Sequence, residues 1–182
     1  MENVPTATND FELTLAELRV VARFAVESAQ EVLPIFEQSD PGDTRPRGAV
    51  EAAWVFVNGA ARSTLQRVTA LGAHRAAREV TDAAARHAAR AAGDAAAAAF
   101  LHPIAKATQV GHILRAAANA ARAVELNSVD DPNIGHAFIG KARGRATPVL
   151  IDILCRYPPA PTGRSRVAQL MKMLDDSLRP IS

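Results

Sequence analysis

From Thr14 onward, apolar residues recur at the spacing of one helical face: Leu15, Leu18, Val21, Val26, Val32, Leu33 and Phe36 form a stripe. Thr14 and Glu17 make a Thr-x-x-Glu capping box in front of it, so the pattern predicts a first helix over residues 14–37, with Pro34 kinking or ending its last turn. The loop SDPGDTRPRG leads into AVEAAWVFVNG, where Glu51 is the sole charge and Asn58-Gly59 reads as a C-cap. This short segment is expected to be the most buried helix. A third helix is predicted over 63–80, and Thr81 or Asp82 caps a fourth that reaches residue 101.

Pro103 marks the next boundary. The segment HPIAKATQVGHILRAAANAARAVELN is predicted as a fifth, long helix over 102–127. Asp131-Pro132 and Thr147-Pro148 each place a capping side chain before a proline at the first helical position, so two more helices follow. The run TyrProProAlaPro then gives a rigid, extended linker. A last helix carries Val167, Leu170, Met171, Leu174 and Leu178 on one face. No stretch alternates with period two long enough for a strand, and no repeat of solenoid length stands out. The expectation is an all-α, compact single-domain bundle of seven or eight helices over 14–182, preceded by a flexible N-terminus, 1–13.

Composition sharpens that picture. In 182 residues, 48% are apolar but only 4% aromatic, so the core must be built from Ala, Leu, Val and Ile, with Trp54 and six Phe as bulky fillers. The Ala-Arg stretch from residue 73 to 99 is helical rather than disordered, because alanine is the strongest helix former and loses no side-chain entropy. The one cysteine, Cys155, forms no internal disulfide and is read as a buried structural thiol. The start, MENVPTATNDFELT, has no basic stretch followed by an apolar run, and no segment is apolar enough to span a bilayer. A cytoplasmic protein without membrane partners is expected.

Net charge is +2, but it is unevenly placed. Residues 1–43 hold nine acids against Arg19 and Arg23, a balance of 2 − 9 = −7, which leaves +9 for the rest. Such asymmetry fits an acidic first helix docking on basic ones within the same chain.

Candidate chemistry is sparse. Taken as helical, the fifth segment puts His102, Lys106 and Gln109 within about 60° of one another, beside Val110 and Ile113. With His112, His74 and Glu51 they form the candidate binding set. The five histidines show neither His-x-x-x-His nor Glu-x-x-His, so no metal site and no cofactor are expected. Gly-x-Ser-x-Gly is absent, and Asp130-Asp131 and Asp175-Asp176 point their members in different directions. No catalytic residue is assigned, and binding is favoured over turnover. Arg75, Arg78, Arg86, Arg90 and the run KARGR supply cations for nucleic acid, yet no aromatic residues interleave them for base stacking, so nucleic acid is disfavoured.

The pieces PRGAVEAAWVFVNG, HRAARE, HPIAKATQVGHILRAAANAARAVEL and RYPPAPTGRSRVAQLMKMLDDSLR together resemble a family of small actinobacterial immunity proteins that carry an Imm-5-like domain. The likeness covers most of the chain from Phe11 onward. It implies an all-helical protein that binds and neutralises a toxin, and occlusion of the toxin's active site by a preformed surface is the mechanism expected of such a binding protein. Gly140-Lys141-Ala142 lacks the hydroxyl that a phosphate-binding Gly-x-x-x-x-Gly-Lys-Ser/Thr loop needs for magnesium, so no nucleotide hydrolysis of that kind is implied. The alternative reading is a small-molecule-binding or enzymatic helical protein with its pocket near His102, Lys106 and Gln109. The sequence assigns no oligomeric state.

Overall fold

The computed structural model describes residues 11–180. These form eight α-helices: α1 (Leu15–Ser39), α2 (Arg45–Val57), α3 (Thr64–Glu79), α4 (Ala83–Ala97), α5 (Val110–Asn127), α6 (Pro132–Arg145), α7 (Pro148–Cys155) and α8 (Arg166–Leu178). Among the described residues there is no strand, and no helix is long and apolar enough to cross a membrane. The all-α bundle anticipated from the spacing is the fold. Most of the expected flexible N-terminus, residues 1–10, lies outside the described residues.

Local chemistry sets the helix starts. Thr14 and Glu17 complete their capping box, with Thr14 N–H donating to Glu17 Oε2 at 2.8 Å and Glu17 N–H donating to Thr14 Oγ1 at 3.1 Å. Ser63 and Gln66 form a second box on α3. Asp82, Asp131, Thr147 and Ser165 cap α4, α6, α7 and α8 with side-chain acceptors. The cap of α4 is thus Asp82 rather than Thr81. Gly59, at φ 113, follows the Asn58 C-cap of α2 in a left-handed conformation that favours glycine.

Pro34 neither ends nor cuts short α1, which runs on to Ser39. Its ring is exposed, so the carbonyl it leaves unbonded can meet water, while buried Leu33 and Phe36 on either side hold the turn against the core. Burial peaks elsewhere than expected too. α2 is not the most buried helix: α4 lies at the centre, packed on α1, α2, α3 and α5. Its buried face is almost wholly alanine, as is much of α5. Small side chains let these two helices approach closely, which is why two consecutive alanine-dominated segments form the core.

Part of the charge asymmetry is met within the chain. Acids of α1 meet bases of two other helices and of the residue that ends a third: Glu37 with Arg47 of α2, Glu31 with Lys141 and Arg145 of α6, and Glu17 with Arg156 just beyond α7. Each pair contributes little by itself at the surface. Together they fix the orientation of α1.

The largest departure lies at residues 102–109, which are loop and a 3₁₀ turn (Ala107–Gln109) rather than the start of α5. A helix there would need the carbonyls of His102 and Pro103 for bonds to Lys106 and Ala107. Instead Tyr157 Oη donates to His102 O at 2.8 Å, and Phe11 N–H donates to Pro103 O at 3.3 Å. Phe11 and Tyr157 also stack edge to face, with ring centroids 4.9 Å apart. The segment between α7 and α8 is pinned as well, since Ala160 N–H donates to the fully buried Asp175 at 2.8 Å and Arg179 donates to the carbonyls of Tyr157 and Pro158.

Candidate functional site

Where α4 meets α5, two polar side chains interrupt the alanine contact. Asp94 is 7% exposed and Asn119 3% exposed, each set within an alanine run. Asn119 Nδ2 donates to Asp94 Oδ2 at 2.8 Å, which fixes Asn119 Oδ1 as an acceptor. His87 Nδ1 lies 2.8 Å from that oxygen and must therefore carry the proton, leaving Nε2 as the unprotonated nitrogen of the neutral ring. His87, Asn119 and Asp94 form one directed chain of hydrogen bonds. His74, from α3, places Nε2 3.6 Å from Asp94 Oδ1, beyond hydrogen-bond reach.

His74 gets this close because residue 93 is glycine. A Cβ there would sit 2.7 Å from His74 Nε2, closer than real contacts allow. Glycine inside a helix is less favourable than alanine by about 0.8–1 kcal/mol, so the position gives up helix stability to seat an imidazole.

Burial is the main force on these groups. It pushes Asp94 up to about 6, against the opposing pull of Arg115, the Asn119 hydrogen bond and Arg90. It holds His74 below its usual value, helped by the positive fields of Arg115, Arg78 and Arg90. His87 is lowered by burial as well, partly offset by its bond to Asn119. At neutral pH the floor is therefore one carboxylate between two neutral imidazoles.

Above this floor opens a cleft of about 630 Å³ between α3, α4, α5 and the first turn of α8. Four guanidinium groups line it: Arg90, Arg115, Arg122 and Arg166. Two are committed. Arg122 bonds Glu125 at 2.8 Å and Asp130 at 2.5 Å, and Arg166 bonds Glu125 at 2.6 Å and contacts His136 at 3.0 Å. Arg90 and Arg115 have no carboxylate within ion-pair distance among the described residues. Glu125 is fully buried, and a Cβ on Gly135 of α6 would fall on its carboxylate. It clasps α8 onto α5 and so builds the outer wall.

The six residues singled out from the sequence do not converge. His74 lines the cleft. His102 and Lys106 are exposed in the loop before α5, so the helical angle between them does not apply. Gln109 folds its Oε1 back onto the backbone N–H of His102 at 3.1 Å. His112 is partly buried and is held below its usual value chiefly by burial. Glu51 is exposed on α2 beside a separate shallow groove with Trp54 and Arg47. Cys155 is exposed at the end of α7, not buried, because that turn directs Ile153 and Leu154 inward. Among the basic residues, Lys141 and Arg145 of the KARGR run are taken up by Glu31.

Asp94, Asn119 and His87 were missed, although a signal existed. Asp94 and its neighbour Gly93 are the interruptions in an alanine run from 91 to 99, and Asn119 plays the same part in 116–121. A lone polar residue where alanine would otherwise continue marks a position not chosen for packing. Among the described residues no group of His, Cys, Asp and Glu is arranged to hold a metal ion.

No curated protein and no solved structure matches the chain. A family model does match, over residues 12–137, from just before α1 into α6. Three walls of the cleft lie inside that match, while Ser165, Arg166 and Val167 of α8 lie beyond it. By this match over most of its length, the chain belongs to the family described as "Imm-5 like putative immunity protein".

Proposed function

We propose that this protein is a cytoplasmic immunity protein that binds a toxin and neutralises it by covering the toxin's working surface, with no covalent chemistry of its own. The observation that carries this reading is an apolar stripe on the outer face of α3. Leu65 is 45% exposed, Val68 64% and Leu71 54%, and they follow one another along a single face. Val55, on the adjacent α2, is 47% exposed. Large side chains gathered in this way belong to interaction surfaces more than to free solvent-facing helices.

Arg67, Arg75 and Arg78 flank the stripe, exposed and without carboxylate partners among the described residues. A complementary partner presents an apolar patch with an acidic rim. The apolar centre would supply most of the affinity and the arginines the orientation and approach rate.

The test pairs V68E/L71E with the parent chain in purification from the source cells. The parent should retain one protein in stoichiometric amount, the variant at least about a hundredfold less, and that protein expressed alone should arrest growth that the parent chain restores. Both substituted positions are exposed, so the variant should fold as the parent does. Retention by the variant, or a retained protein that is harmless alone, would overturn the reading.

A further inference from the structure

The cleft differs in kind from the α3 stripe: its floor is polar where packing alone would favour alanine. Asp94, Asn119 and Gly93 each depart from the alanine around them, and together they hold one carboxylate and one imidazole at the base of a cavity. Asp94 is more than nine-tenths buried, and its Oδ1 accepts no hydrogen bond, the ring of His74 standing 3.6 Å away. That oxygen is open to the cleft and free, among the described residues, to accept from a bound molecule. Nearer the surface, Arg90 and Arg115 line the cleft without a carboxylate partner among the described residues.

We propose that this cleft binds a small organic phosphate, its phosphate held by Arg90 and Arg115 and its body donating a hydrogen bond to Asp94 on the floor. Two guanidinium forks suit the charge and oxygens of a phosphate group better than a single carboxylate, which one arginine can satisfy. A volume of about 630 Å³ accommodates more than the bare ion. Asp94 repels a free anion that descends to it, so the ligand must present a hydroxyl or amino group at that depth and keep its charge at the mouth. His87 and Asn119 hold Asp94 in place and are positioning residues. This binding is independent of protein capture on the outer face of α3.

Calorimetric titration of the full chain with inorganic phosphate, ribose 5-phosphate and adenosine 5′-monophosphate tests the assignment. At least one organic phosphate should bind with Kd below about 1 mM and at least about tenfold tighter than inorganic phosphate. R90Q/R115Q, checked for folding by circular dichroism, should weaken it by about tenfold or more. D94N should erase its advantage over inorganic phosphate, and R143Q, outside the cleft, should change nothing. The proposal is overturned if neither organic phosphate binds at 10 mM, if R90Q/R115Q binds as the parent does, or if inorganic phosphate binds as tightly as both organic ones.

Discussion

Two buried carboxylates, Asp94 on the floor of the cleft and Glu125 behind two of the arginines that line it, have been given opposite surroundings. Glu125, fully buried, is bracketed by Arg122 and Arg166 at 2.8 and 2.6 Å. Asp94, almost as buried, has an amide at 2.8 Å and an imidazole at 3.6 Å. The first is a joint, in which two guanidinium groups compensate a charge taken out of water and tie α8 to α5. The second is left undercompensated, and its raised proton affinity records that. A buried carboxylate by itself indicates nothing about function; whether its charge is answered does.

The sharpest way to break the contrast is to remove each carboxylate. Glu125→Ala should destabilise by about 3–5 kcal/mol in urea denaturation, because two buried-edge guanidinium groups lose their shared partner. Asp94→Asn should do the reverse. Its folded value of about 6 lies above the ordinary aspartate value of 3.8, so the ionised form opposes folding: the penalty is absent below 3.8, grows as pH rises toward 6 and is complete above it. The substitution should therefore stabilise by up to roughly 3 kcal/mol at pH 8 and by nothing near pH 3.5. A flat difference across that range would remove the distinction between the two sites.

Smaller effects are expected from the glycines that seat these groups. Gly135→Ala should cost about 1–3 kcal/mol, since the carboxylate beneath it is held by two arginines and cannot step aside. Gly93→Ala should cost less, because the helix gains what the displaced His74 ring loses. Depressed values for His74 and His87 mean that stability present above pH 6.5 is lost as pH falls, while Asp94 regains some over the same interval. D94N should accordingly show a steeper acid loss between pH 6.5 and 5 than the parent. Least of all, R90Q and R115Q should each cost about 1 kcal/mol or less at pH 8, as neither side chain has a close ion pair among the described residues and each gives up only its longer-range pull on Asp94.

Helix existence and type were legible because caps and spacing are local. Thr14, Asp131 and Thr147 announce their helices from side chains only two or three residues away. Residues 102–109 were not legible, because what unmakes the helix there is distant in sequence: Tyr157 and Phe11 take the two carbonyls that its first turn requires. The cleft was obscured for the same reason. Its floor joins residues from three helices, and no single stretch shows that His87, Asn119 and Asp94 meet. Gly93 and the isolated Asp and Asn hinted at it, but composition drew attention to the more varied polar segment that follows Leu101.

The alanine contact at the centre of the bundle has a thermodynamic consequence of its own. A buried alanine surrenders no rotamer freedom on folding, so the alanine positions of α4 and α5 are ordered at the expense of backbone entropy alone. It also hides little hydrocarbon from water. Unfolding this chain should release less newly hydrated apolar surface than a leucine-rich bundle of the same length. The calorimetric heat-capacity step should accordingly fall below the usual value of about 12–15 cal/mol/K per residue, giving a stability curve that is low, broad and tolerant of changing temperature.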